Sequence, residues 1–101
     1  MKLQQLKYFN ALCRLKSFSK VASTFKVSQP TVSYAIKSLE EDLGVQLILR
    51  NQSHTDVSLT KEGELFKKYS LNVLQQLDMG ITAVKNAHDG RIKIGITAAL
   101  S

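Results

Sequence analysis

The stretch Val27-Ser28-Gln29-Pro30-Thr31-Val32-Ser33-Tyr34-Ala35-Ile36-Lys37-Ser38-Leu39-Glu40-Glu41-Asp42-Leu43-Gly44 carries a helix signal with both a start and a stop. Ser28 is a good N-cap, and Pro30 falls in the first turn, where a missing N–H costs nothing. Val32, Ile36, Leu39 and Leu43 recur at i, i+4, i+7 and i+11 and mark one buried stripe. Gly44 supplies the C-cap. Just upstream, Ser17 offers an N-cap for a shorter helix of roughly residues 18–25, whose buried side would use Phe18, Val21, Ala22 and Phe25. Ala22 is small where two crossing helices approach. Only Lys26-Val27-Ser28 separates the two, so they form a helix-turn-helix.

Working outward, Leu3, Leu6, Phe9 and Leu15 (with Ala11 and Leu12) place one apolar stripe on a first helix, inside which Cys13 reads as a small interior residue. On the other side, Gln46-Leu47-Ile48-Leu49-Arg50 and Asp56-Val57-Ser58-Leu59 read as two short strands around a polar turn, the wing of a winged helix. Thr60 caps a last helix, with Glu62 and Glu64 in its first turn, where the helix dipole favours acids. Its pattern persists to about Asn86, some 26 residues and so roughly 39 Å long. Phe66, Tyr69, Val73, Leu77, Ile81 and Val84 form its stripe, widened by Leu65 and Leu74. A domain of about 60 residues is marginal in burial and cannot cover such a stripe. The simplest partner is a second copy of the same helix, with Gly80 a point where a gentle bend would be tolerated. Asp89-Gly90 is a turn, and Arg91-Ile92-Lys93-Ile94-Gly95-Ile96 alternates as a strand with nothing to pair with.

The expected fold is therefore mainly α: a winged helix-turn-helix of three helices and a two-stranded wing over residues 1–59. A linker and dimerisation helix would follow over 60–89, and the start of a truncated further domain over 90–101.

Composition excludes several classes. The chain has 101 residues, 44% of them hydrophobic and 22% charged, which is a soluble globular composition. It shows no bilayer-length apolar run and no secretory h-region, so no membrane partner is expected. One cysteine suits a reducing, cytoplasmic setting, and with two histidines it is too little for a metal site. No Ser/His/Asp or Cys/His constellation can be assembled, and Gly90 and Gly95 make no phosphate loop, so no enzyme is expected. Glu40, Glu41 and Asp42 are consecutive on a helix and read as solvated. The net charge of +6 is concentrated at one end: Lys2, Lys7, Arg14, Lys16, Lys20 and Lys26 occupy the first 26 residues with no acid among them. Such a patch is the electrostatic footprint expected for nucleic acid.

The helix of residues 28–43 presents Gln29, Pro30, Ser33, Tyr34 and Lys37 away from its buried stripe. Glutamine can bond adenine N7 and N6 bidentately, serine can donate or accept, and proline or a threonine methyl can pack on thymine. The helix N-terminus at Ser28 offers N–H groups to a phosphate, and Lys37 suits the DNA backbone better than a base edge.

Residues 3–63 closely resemble the DNA-binding domain of the LysR-type transcriptional regulators. The matching pieces are Leu6-Lys7-Tyr8-Phe9, Ser17-Phe18-Ser19-Lys20-Val21-Ala22, Val27-Ser28-Gln29-Pro30-Thr31-Val32-Ser33 and Ile36-Lys37-Ser38-Leu39-Glu40-Glu41-Asp42-Leu43-Gly44-Val45-Gln46-Leu47. Arg50 and Leu59-Thr60-Lys61-Glu62-Gly63 complete the match. The resemblance implies base reading by Gln29, Pro30, Thr31 and Ser33, with Tyr34 where the family commonly has arginine. Ser28, Lys37, Arg50, His54 and Lys20 are the expected backbone contacts. It also implies pairing of two subunits through Phe66, Tyr69, Val73, Leu77, Ile81 and Val84, with a tetramer open to the full-length protein. Residues 91–96 would open a periplasmic-binding-protein-like domain for a small-molecule effector, no cofactor being expected in the present chain.

The segment between Arg50 and Gly63 is two residues longer than is usual in the family. Residues 51–58 hold no Lys or Arg, so His54 is the one candidate cation there and a weak wing contribution is expected. The resulting expectation is a homodimer on double-stranded DNA, reading an interrupted inverted repeat with half-sites about one turn, roughly 34–36 Å, apart. The competing expectation is a winged-helix protein–protein interaction module, binding DNA weakly and without sequence preference.

Overall fold

A computed structural model describes residues 1–49 and 57–90. Four helices follow in order: α1 (Leu3–Leu15), α2 (Phe18–Phe25), α3 (Gln29–Leu43) and α4 (Lys61–His88). The chain divides into two compact units, Met1–Leu71 and Asn72–Ser101, and α4 is one uninterrupted helix through Gly80.

Local chemistry sets the helix ends. Ser17 Oγ accepts the Lys20 N–H at 3.2 Å, and Ser28 Oγ accepts the Thr31 N–H at 3.3 Å. Gly44 ends α3 at φ 72°, the left-handed region where glycine has no steric cost. Lys16 and Lys26 do the same for α1 and α2 at φ 58° and 57° without being glycines. Lys26 in this conformation lets the chain reverse within three residues and start α3.

The core of the first unit is where the three short helices meet. Phe9, Leu12, Val21, Val32, Ile36, Leu39 and Leu47 are fully buried. Tyr8 meets Phe25 edge-on at 5.0 Å, and Phe9 packs on Phe66 of α4 at 5.7 Å. The α1 stripe differs from expectation at one end: Leu3 is exposed, while Gln5 is buried and its Oε1 accepts the Lys2 N–H at 2.8 Å. Gln5 thus serves as the polar half of a cap.

The two expected wing strands are reduced, among the described residues, to a single antiparallel bridge between Ile48 and Leu59. The Leu49 N–H donates to Ser58 O at 2.9 Å beside it. The Leu47 and Ile48 N–H groups donate to the Glu40 carboxylate. The expected wing tip, with Arg50 and His54, and the expected strand at 91–96 lie outside the described residues.

Candidate nucleic-acid interface

Helix α3 has one face with no solvent access, at Val32, Ile36 and Leu39, so its other residues are held at a fixed surface position. Gln29, Pro30, Thr31, Ser33, Tyr34 and Lys37 are all exposed, Tyr34 at 75%. Ser28 is also exposed, but its hydroxyl is engaged: besides capping the helix it shares a 2.7 Å hydrogen bond with Thr31 Oγ1. One of the two hydroxyl protons stays uncommitted, and the Thr31 methyl suits an apolar contact. Pro30 carries no N–H and the Thr31 N–H is taken by Ser28, so Gln29 supplies the backbone donor of the first turn.

Lys20 is exposed on α2, one turn from the Ser17 cap, and Lys2, Lys7, Arg14, Lys16 and Lys26 are exposed as well. The far end of α3 has the opposite sign. Glu41 and Asp42 are exposed there, with Asp42 Oδ2 3.3 Å from the Met1 ammonium. A polyanion approaching α3 would be repelled from its last turn.

Glu40 corrects the sequence reading. It is 7% exposed, and its Oε2 accepts N–H groups from Leu47 at 2.7 Å and Ile48 at 3.1 Å. Its spacing held the signal: Glu40 lies four residues after Ile36 and eight after Val32, on the edge of the buried stripe. Cys13 is buried as expected, and burial pushes its thiol up to about 11, a little offset by the Lys67 ammonium. It is therefore an unreactive packing residue.

On α4, Tyr69, Val73, Leu77, Ile81 and Val84 are exposed. Phe66 is half-buried against Phe9, so part of its ring is used within the first unit. Leu65 and Tyr69 also border an apolar groove with Leu43, Val45, Leu47 and Phe66. Among the described residues no helix is long and apolar enough to cross a membrane.

Three packed helices, an exposed polar helix face and the base of a wing define a winged helix-turn-helix protein. The sequence model of the bacterial regulatory helix-turn-helix proteins, lysR family, matches residues 3–64, and the chain belongs to that family. It is similar to the malolactic fermentation system transcriptional activator of Lactococcus lactis subsp. lactis, with 39% identity over the whole chain and 35% of that relative. It is similar too to the HTH-type transcriptional regulator BenM of Acinetobacter baylyi, with 34% identity over 99% of the chain and 33% of the relative. The chain thus spans about a third of the length of these curated relatives. In three dimensions it matches the crystal structure of the BenM DBD/catB site 1 DNA complex at a TM-score of 0.83. That match has 36% identity and covers 90% of this chain and 96% of the other.

Proposed function

We propose that this chain is the DNA-binding part of a LysR-type transcriptional regulator that acts as a homodimer on an interrupted inverted repeat of double-stranded DNA. The carrying observation is the α3 surface: Gln29, Pro30, Thr31, Ser33 and Tyr34 are exposed on a helix whose opposite face is buried at Val32, Ile36 and Leu39, with Leu43 half-buried at its end. A fixed helix presenting amide, hydroxyl and apolar groups is what major-groove readout needs. Its basic surroundings supply the phosphate-neutralising term, with Lys26 and Lys37 nearest in sequence to the reading turns and Lys20 on the preceding helix. Likeness to a domain crystallised with DNA favours this reading over a protein–protein interaction module. The second copy would cover the stripe from Tyr69 to Val84. The regulator works in the cytoplasm, answers to a small-molecule effector held elsewhere in the full-length protein, and performs no catalysis through these residues.

Binding-site selection from random duplex DNA at two salt concentrations tests the proposal. The expected product is an inverted repeat with half-sites about one helical turn apart. Recovery of no motif, with binding that only fades as salt rises, would overturn it.

A further inference from the structure

A continuous set of hydrogen bonds joins the last turns of α3 to the first turn of α4. The Glu40 carboxylate on α3 accepts the N–H groups of Leu47 and Ile48. Carbonyls of the same segment serve the other side: Leu47 O accepts the Thr60 N–H at 3.0 Å, and Gln46 O accepts the Thr60 hydroxyl at 2.6 Å. Thr60 Oγ1 in turn accepts the Gly63 N–H at 2.9 Å, which closes the first turn of α4. A Cβ on Gly63 would collide with the Leu47 carbonyl oxygen, so that turn lies directly on the backbone of the segment. Leu47 and Ile48 are 0% and 2% exposed, so water has no access to replace the Glu40 carboxylate at their N–H groups. The Thr60 hydroxyl, by contrast, meets Gln46 O at the solvent-exposed edge of the junction.

An apolar contact such as Phe9 on Phe66 tolerates sliding and rotation. Two N–H groups converging on one carboxylate oxygen, followed by a hydroxyl that both donates and accepts, do not.

We propose that this junction holds α3 and the start of α4 at one fixed angle, making Glu40 and Thr60 positioning residues for the half-site spacing the regulator accepts. The inference rests on the dimeric DNA-binding reading above. In such a dimer each α3 is tied through the junction to the helix that pairs the subunits. A change of angle there moves the two reading faces relative to each other. Each added base pair rotates a half-site by roughly 34–36° about the duplex axis, so small angular errors are read as spacing errors.

The test measures affinity of the 101-residue chain for a series of duplexes whose two half-sites are separated by stepwise longer spacers, with thermal melting alongside. Thr60→Val keeps the side-chain size and removes both hydroxyl bonds, whereas Thr60→Ser keeps them; Glu40→Gln keeps an acceptor oxygen and Glu40→Ala does not. For the unaltered chain, moving two base pairs from the best spacer should cost on the order of tenfold in affinity or more, because simultaneous engagement is lost. Thr60→Ser and Glu40→Gln should keep that profile. Thr60→Val and Glu40→Ala should flatten it to within about threefold or displace its optimum. Thr60→Ala serves in place of Thr60→Val if the latter does not fold. A uniform loss at every spacer with an unchanged profile, or no change at all in a stably folded Thr60→Val, overturns the proposal. So does an unaltered chain that is sequence-specific yet indifferent to spacing. An unaltered chain with no sequence preference overturns the DNA-binding reading itself.

Discussion

Asn10 Nδ2 donates a 2.9 Å hydrogen bond to Ser70 Oγ, joining α1 to α4 across sixty residues of sequence. Ser70 is 1% exposed, and its hydroxyl also lies 3.2 Å from Lys67 O, while Asn10 donates again to Leu6 O at 3.0 Å. Each polar group in this contact is satisfied. Ser70→Val leaves Asn10 one acceptor short inside an apolar contact. It should cost about 1 kcal/mol and lower the melting temperature by roughly 4–8 °C. Thermal unfolding followed by circular dichroism checks this, and an unchanged transition would show the bond to be energetically neutral.

Gly63 faces the Leu47 carbonyl so closely that no Cβ fits. Gly63→Ala gains helix propensity but forces the first turn of α4 off the segment beneath it. The overpacking should dominate, at about 2–3 kcal/mol of destabilisation. Urea denaturation gives the answer, the expected result being a lower midpoint. A variant as stable as the parent would mean the backbone there yields cheaply.

Gln29 and Lys37 are both exposed on α3 but should differ in kind. Gln29→Ala should cost on the order of 1–3 kcal/mol at one base position and relax preference there. Lys37→Ala should weaken binding to all sequences and reduce the salt slope by about one. Titrations against single-base variants of the selected site, at several salt concentrations, separate the two. Equal losses on every sequence for Gln29→Ala would make it a positioning contact.

Leu77 and Ile81 are 41% and 46% exposed, so charging them costs the isolated chain little. The double change Leu77→Asp, Ile81→Glu should leave helix content unchanged and convert the dimer to monomer in sedimentation velocity. Affinity for an inverted repeat should fall with it, toward that for a single half-site. A dimer that survives both charges would place the pairing surface elsewhere.

Cys13 is buried, and desolvation of the thiolate raises its pKa from 9.0 to about 11. The proton is therefore held more tightly in the folded state than in the unfolded one. The stabilisation is complete below pH 9 and is lost as pH rises through about 11. At pH 8 this leaves roughly 100-fold less thiolate in the folded protein than in denaturant. Iodoacetamide labelling with and without urea measures that ratio. Equal rates would show the thiol to be reachable in the native state.

Where information was local, it could be read directly from the residues. Ser17, Ser28 and Gly44 announce helix ends by their own chemistry: α2 begins after Ser17, and α3 begins after Ser28 and ends at Gly44. The buried stripe Val32, Ile36, Leu39 and the exposed face opposite it follow from helical period alone, so the candidate reading residues were legible too. The left-handed caps at Lys16 and Lys26 were not, because lysine carries no preference for that conformation.

Three further features needed the tertiary structure. Glu40 looks like one more surface acid until the chain returns at Leu47 and Ile48 and their N–H groups donate to its carboxylate. Asn10 and Ser70 have no periodic signature, since a hydrogen bond across sixty residues depends on how two helices cross. Nothing local to Gly63 announces the Leu47 carbonyl that lies against it once α4 is in place. The sequence by itself determined the helices, the serine and glycine caps and the α3 face that meets solvent, because those depend on neighbours within one or two turns. Tertiary structure alone decided which polar groups go inside and how α3 is braced against α4, because burial and hydrogen-bond partners exist only once distant segments meet.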